Sequence, residues 1–282
     1  MFPSPNRLLK AIAATVFATL SLCPSCSVST APPRVPRAAL PVPQSLDAHY
    51  AVPGAVHEFE RAPIGGEGEH RYFRGLLVAG EGTRREQAEI TFVTKPSAGR
   101  QPLVVLLPIL AGGRDLMWIL ADAFAARGFA VLWTERVDGA LQDQHDGADL
   151  EALLRRTVIH NRMALAWART QTDIDPERMG CVGVSMGSMI GTIVLALEPA
   201  LRGGALVLAG ADLPSLLHVS TEDKIVRWRA ARRRLAGSQG SELERELARE
   251  IRTDPERFAP YVQTDRVLMV HGTFDTIVPP PH

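Results

Sequence analysis

Between residues 102 and 212, apolar runs of strand length alternate with segments of helical spacing. "PLVVLLPIL" (102–110) is almost continuously apolar. "RDLMWILADAFAARG" (114–128) has the apolar repeat of a helix and ends on Gly128, and "FAVLWTE" (129–135) is apolar again. "DLEALLRRTVIHNRMALAWARTQ" (149–171) predicts a long amphipathic helix, and "MGCVGVS" (179–185) a buried strand. "MGSMIGTIVLALEP" (186–199) predicts a second helix and "GGALVLAGAD" (203–212) another strand. Strands apolar on both faces, separated by helices, belong to a parallel sheet with crossovers packed on either side. Ahead of this region "HRYFRGLLVAG" (70–80) and "QAEITFVTK" (87–95) read as two strands of an antiparallel lead-in.

The rhythm breaks at 214–265. There, "TEDKIVRWRAARRRLAGSQGSELERELAREIRTDPERFAPYV" predicts two charged helices around "GSQGS", before a last apolar run, "RVLMVHG" (266–272). The basic residues Arg227, Arg229, Arg232, Arg233 and Arg234 read as the solvated face of such a helix. The alternative is a small lid or a surface facing anionic lipid headgroups. The expected fold class is α/β, a mostly parallel, doubly wound sheet with a small helical insert before its last strand. One domain, residues 55–282, accommodates it.

The N-terminus has a different pattern. Arg7 and Lys10 precede the apolar run 11–22, which is too short to span a bilayer and has the form of a secretory signal, here 1–25. Cys26 follows Ser25 and leads a Ser/Thr/Pro-rich stretch, which resembles the acylation site of bacterial lipoproteins, although Cys23 and Pro24 depart from the usual pattern. Residues 1–26 therefore predict export to the cell envelope or periplasm, with either lipidation at Cys26 and membrane anchoring or ordinary cleavage nearby. Residues 26–54 are rich in proline and have no period, as expected of a tether or a loosely docked arm.

Composition adds limits. At 282 residues and 46% apolar content the chain is able to bury a sizeable core. Lys+Arg and Asp+Glu balance at 31 each, so charge gives no reason to expect nucleic acid as a partner. Cys181 lies in an apolar run and reads as a small buried hydrophobe, leaving no internal disulfide framework. The histidines have no metal-ligand spacing, and neither a metal nor a cofactor is expected.

The chemistry centres on "GVSMG", Gly183 to Gly187, between a predicted strand and a predicted helix. A Ser on such a turn projects its Oγ at the carboxyl end of the sheet, and the glycines leave room for the tight backbone. The helix that starts there supplies its dipole and the N–H of Met186 to a developing oxyanion. A second donor is expected from the loop after 102–110, where "PILAGGRD" offers the N–H of Leu110, with Ala111 next, and Gly112 and Gly113 permit close approach.

With these features, the chain over about 70–280 resembles the α/β-hydrolase superfamily, and is most similar to its dienelactone-hydrolase-like and acetylxylan-esterase-like bacterial branches. The carrying residues are the "LPILAGG" loop, the "GVSMG" turn and the late "HGTFDTIVP". The resemblance implies a serine hydrolase acting on a small-molecule carboxylic ester, with Ser185 as nucleophile and Asp275 as the acid that orients a histidine. Asp212 is the rival acid, one strand earlier, and lacks the flank that Val278 and Pro279 give Asp275. His271 is read as a supporting or core histidine and His160 as part of its helix. In the family a further helix and strand separate the acid from the base. Only seven residues follow Asp275 here, the last being His282, so the resemblance implies a chain that stops before the catalytic histidine. A strand "VLMV" left at the sheet edge would then expose apolar surface. Two readings stay open: an exported esterase, or a non-catalytic or decayed member of the fold.

Overall fold

The computed structural model describes residues 38–65, 69–95, 99–107, 109–110, 114–135, 141–236 and 241–279. The expectations about the signal segment, Cys26 and His282 lie outside the described residues.

A mixed sheet forms the centre. Its strands are β1 (Val56–Gly65), β2 (Arg71–Ala79), β3 (Glu86–Thr94), β4 (Gln101–Leu107), β5 (Ala130–Thr134), β6 (Ile174–Val184), β7 (Leu201–Val207) and β8 (Val267–Val270). They lie in the order β1-β2-β3-β5-β4-β6-β7-β8. β5, β4, β6, β7 and β8 run parallel to one another, and β3, β2 and β1 extend the sheet antiparallel from β5.

The unbroken apolar run in β4 follows from its two covered faces. Leu103, Val105 and Leu107 point into one core, and Val104 and Leu106 into the other. The second of these cores is closed by α2 (Arg114–Ala125), whose Met117, Leu120 and Phe124 pack beside Val131 and Trp133. The first is closed by α3 (Gly147–Ala168) and α4 (Met186–Leu197). Asp146 starts α3 with a reciprocal pair of hydrogen bonds to Asp149, which satisfies end donors that the helix itself cannot.

Three features differ from expectation. The Pro-rich segment is docked from residue 38 onward: it forms α1 (Gln44–His49) and then buries Tyr50 completely. The Tyr50 hydroxyl pairs with Thr253 Oγ1 at 3.0 Å, and Arg162 holds the segment by donating to the carbonyl of Tyr50 while pairing with Asp47 and Glu198. β1 is an additional strand, invisible in the sequence because an edge strand exposed along most of its length needs no apolar alternation. The insert, finally, begins with a further helix, α5 (Leu213–Val219), ahead of α6 (Asp223–Ala236) and α7 (Ser241–Glu250).

The basic residues of α6 divide. Arg229 donates to the carbonyls of Leu217 and Ser220, and Arg232 pairs with Glu246, so both fasten the insert. Trp228, fully buried, donates its Nε1 hydrogen to the carbonyl of His145 at the entrance to α3. β8 pairs with β7 and stands at the edge of the described sheet, with Met269 53% exposed, as expected of "VLMV" in that position.

Candidate active site

β6 ends at Val184 and α4 begins at Met186, leaving Ser185 alone in the turn. Ser185 has φ 53° and ψ −119°, a conformation that costs a non-glycine residue on the order of 1–3 kcal/mol. Several bonds hold it there. Its N–H donates to the carbonyl of Val207 at 2.8 Å, and its own carbonyl accepts the N–H of Ser188 at 2.8 Å and of Met189 at 3.2 Å. Ser188 is completely buried, and its hydroxyl lies 2.7 Å from the carbonyl oxygen of Gly183 and 2.6 Å from that of Val207. Gly183 is required by contact, because a Cβ there would run into the backbone of Gly187 and Ser188. No side-chain hydrogen bond caps α4 from Ser185. Met186 and Gly187, at the very start of the helix, have no carbonyl four residues earlier within it for their N–H groups to bond.

Leu110 and Met186, the two expected oxyanion donors, border one cavity together with Gly187 and Ile190. Gly112 and Gly113 lie outside the described residues. The cavity, a feature the sequence did not disclose, reaches from this turn toward α3 and α5 and is mostly apolar. Ser185 stands beside it, since the residues that follow it, Met186 and Gly187, supply the wall.

Asp275 sits in the turn that follows β8. Its N–H donates to the carbonyl of Gly272, and its Oδ1 accepts the N–H groups of Ile277 at 2.8 Å and Val278 at 3.0 Å. Val278 is buried against Gly210, where an added Cβ would clash with it. Thr276 bonds through its carbonyl to Thr221. The acid's turn is thereby fixed to the segment that follows β7.

Asp212 has a structural task. It takes a left-handed conformation at φ 54°, ψ 61° and caps α5 by accepting the N–H of Ser215. The carboxylate of Asp254 in turn receives the N–H groups of Asp212 and Leu213. His271 is exposed, which removes the core alternative of the expected supporting or core histidine. His160 is buried on α3 beside Glu86, and burial, with the nearby Arg156, lowers its pKa from the ordinary 6.5. Cys181 is completely buried and its thiol is pushed up to about 12, so it is inert at neutral pH. Among the described residues no histidine hydrogen-bonds to Ser185 or Asp275. Nor do they hold a cluster of three or more His, Cys, Asp or Glu able to bind a metal.

The sequence matches no family model and no curated protein. Its structure does have relatives. It superposes on Acetyl Xylan Esterase 1 from Thermoanaerobacterium sp. JW/SL YS485 with a TM-score of 0.57 and 14% identity, over 85% of this chain and 82% of that one. It also superposes on the acetyl xylan esterase from Paenibacillus sp. R4 with a TM-score of 0.58 and 13% identity, over 80% and 75%. The chain has the α/β-hydrolase fold. In an α/β-hydrolase the strand-to-helix turn is the place of the nucleophile, and the residue after it is one source of oxyanion hydrogen bonds. Ser185 stands in the strand-to-helix turn, and Met186 is the residue after it.

Proposed function

We propose that the chain is an exported serine hydrolase that cleaves carboxylic esters through an acyl-enzyme on Ser185. The observation that carries this reading is the strained conformation of Ser185, held by bonds from Val207, Ser188 and Met189. A serine on a strand-to-helix turn of this kind projects its Oγ at the carboxyl edge of the sheet, beside the N–H groups that open the following helix.

In the reaction the Ser185 Oγ adds to the ester carbonyl carbon and its proton passes to a general base. The carbonyl oxygen becomes an anion, stabilised by the N–H groups of Met186 and Leu110. Collapse breaks the bond to the alcohol, which leaves with the proton from the base. Water, deprotonated by the same base, then cleaves the acyl-serine, releasing the carboxylic acid and restoring the hydroxyl. Asp275 orients the base and stabilises its positive charge. The chemistry needs no cofactor. Residues 1–25 support export, and Cys26 lipid anchoring, while no helix among the described residues is long and apolar enough to cross a membrane.

A second reading is a non-catalytic envelope protein that keeps the Ser185 turn as part of its packing, where the buried Ser188 hydroxyl ties Gly183 to Val207 whether or not a base is present. Hydrolysis of p-nitrophenyl acetate by the purified protein beside its Ser185→Ala variant separates the two. Activity lost with Ser185 supports the esterase, and single exchanges of His271 and His282 for Asn then identify the base. Equal background rates in both proteins support the second reading.

A further inference from the structure

The cavity beside Ser185 is larger than an acetyl group fills. Its volume of about 50 Å³ exceeds several-fold the roughly 10–15 Å³ that one water needs, and corresponds to about four carbon-sized groups. Leu150, Leu153 and Leu154 of α3 and Leu213 and Leu217 of α5 line it. The few polar side chains in the wall already have partners. Asn161 donates to the carbonyl of Thr157, Thr157 Oγ1 donates to that of Leu153, and Glu135 accepts from Thr91 Oγ1 at 2.8 Å. An occupant therefore meets mostly hydrocarbon, with the Glu135 carboxylate as the one charged group among the lining residues, which favours an uncharged, apolar chain.

The place of Asp275 in the sheet order favours one half of an ester there. Ser185 follows β6; the strand ends that border the cavity are those of β4 and β5 on one side of it, α5, which follows β7, also lines the cavity, and Asp275 follows β8, farther along the sheet on the other side. The base that Asp275 orients protonates the departing alcohol, so the alcohol leaves toward β8. The acyl group stays on Ser185 and faces the cavity.

We propose that this cavity is an acyl pocket selecting esters of unbranched, apolar acyl chains of about four to six carbons over acetyl esters. This rests on the esterase reading of Ser185. Each methylene seated raises kcat/KM about fourfold, so butyrate should exceed acetate about fifteenfold. The advantage should level off near hexanoate and decline with octanoate.

The test is kcat/KM for p-nitrophenyl acetate, butyrate, hexanoate and octanoate with the purified protein, its L153W variant and, as a second filling of the same wall, T157L. The expected result is a maximum at butyrate or hexanoate that moves toward acetate in both variants. Acetate equal to or better than butyrate in the parent protein overturns the proposal. Turnover of none of the esters would fault the esterase reading, and the pocket is then scored by saturation-transfer NMR with hexanoate and acetate on the Ser185→Ala protein. A signal from the hexanoate chain, weakened by L153W and absent for acetate, supports the pocket. No signal from either acid overturns it.

Discussion

The N–H of Ser185 donates to the carbonyl oxygen of Val207 at 2.8 Å, tying the turn at the end of β6 to the last residue of β7. The buried hydroxyl of Ser188 reaches the same carbonyl at 2.6 Å. The turn is thus held by the neighbouring strand as well as by its own helix. Ser188→Ala removes a buried donor and leaves the Gly183 carbonyl without it, at a cost of about 1–3 kcal/mol. Urea unfolding should show that loss of stability, and esterase activity should fall with it as the turn loosens. A Ser188→Ala protein with unchanged unfolding and unchanged activity would separate this hydroxyl from the turn.

Asp275→Asn is a sparing substitution, because an amide oxygen still accepts the N–H groups of Ile277 and Val278. The melting temperature should move little. The rate should drop by about four orders of magnitude, as expected when a triad acid no longer fixes the histidine tautomer. Asp212→Asn is the matched control: Asn caps helices about as well as Asp, so both stability and rate should hold. If instead Asp212→Asn abolishes activity while Asp275→Asn does not, the two acids exchange roles.

Tyr50 locks the N-terminal segment onto the domain through a fully buried ring and its bond to Thr253. Tyr50→Ala should cost about 3–5 kcal/mol, measurable by chemical denaturation, as for other buried aromatics. A loss below about 0.5 kcal/mol, the usual range for surface positions, would mean the segment behaves as a tether after all.

His160 carries a pH prediction. Burial, helped by the nearby Arg156 and opposed by Glu86, lowers its pKa in the folded state. The unfolded chain therefore takes up a proton near pH 6.5 that the folded one resists, so stability contributed at neutral pH is lost as the pH falls below that value. Thermal melts of the parent protein and a His160→Gln variant should differ less at pH 5 than at pH 7.5. A difference independent of pH would contradict this assignment.

What the sequence disclosed follows burial. Strands β4 to β7 were legible because Leu103 to Leu107 and their counterparts are apolar on both faces, a pattern few other structures produce. Ser185 was legible because its turn demands small neighbours, and Gly183 and Gly187 supply them. β1 left no such signal, since most of its side chains meet solvent, nor did α1, whose chief anchor is one aromatic ring. Ser188 escaped notice because its task, tying Gly183 to Val207, depends on strand pairing that a linear motif does not encode. The acyl cavity is assembled from residues between Leu107 and Leu217 on several elements, and only folding brings them together.

The central claim is that Ser185 carries the acyl group during turnover. The measurement that tests it most directly is intact mass spectrometry of the protein quenched within seconds of mixing with p-nitrophenyl butyrate. The account predicts a species heavier by one butyryl group, mapped by peptide digestion to Ser185 and absent from the Ser185→Ala variant. Product formation with no acylated Ser185 peptide, or the same adduct in the Ser185→Ala protein, would contradict it.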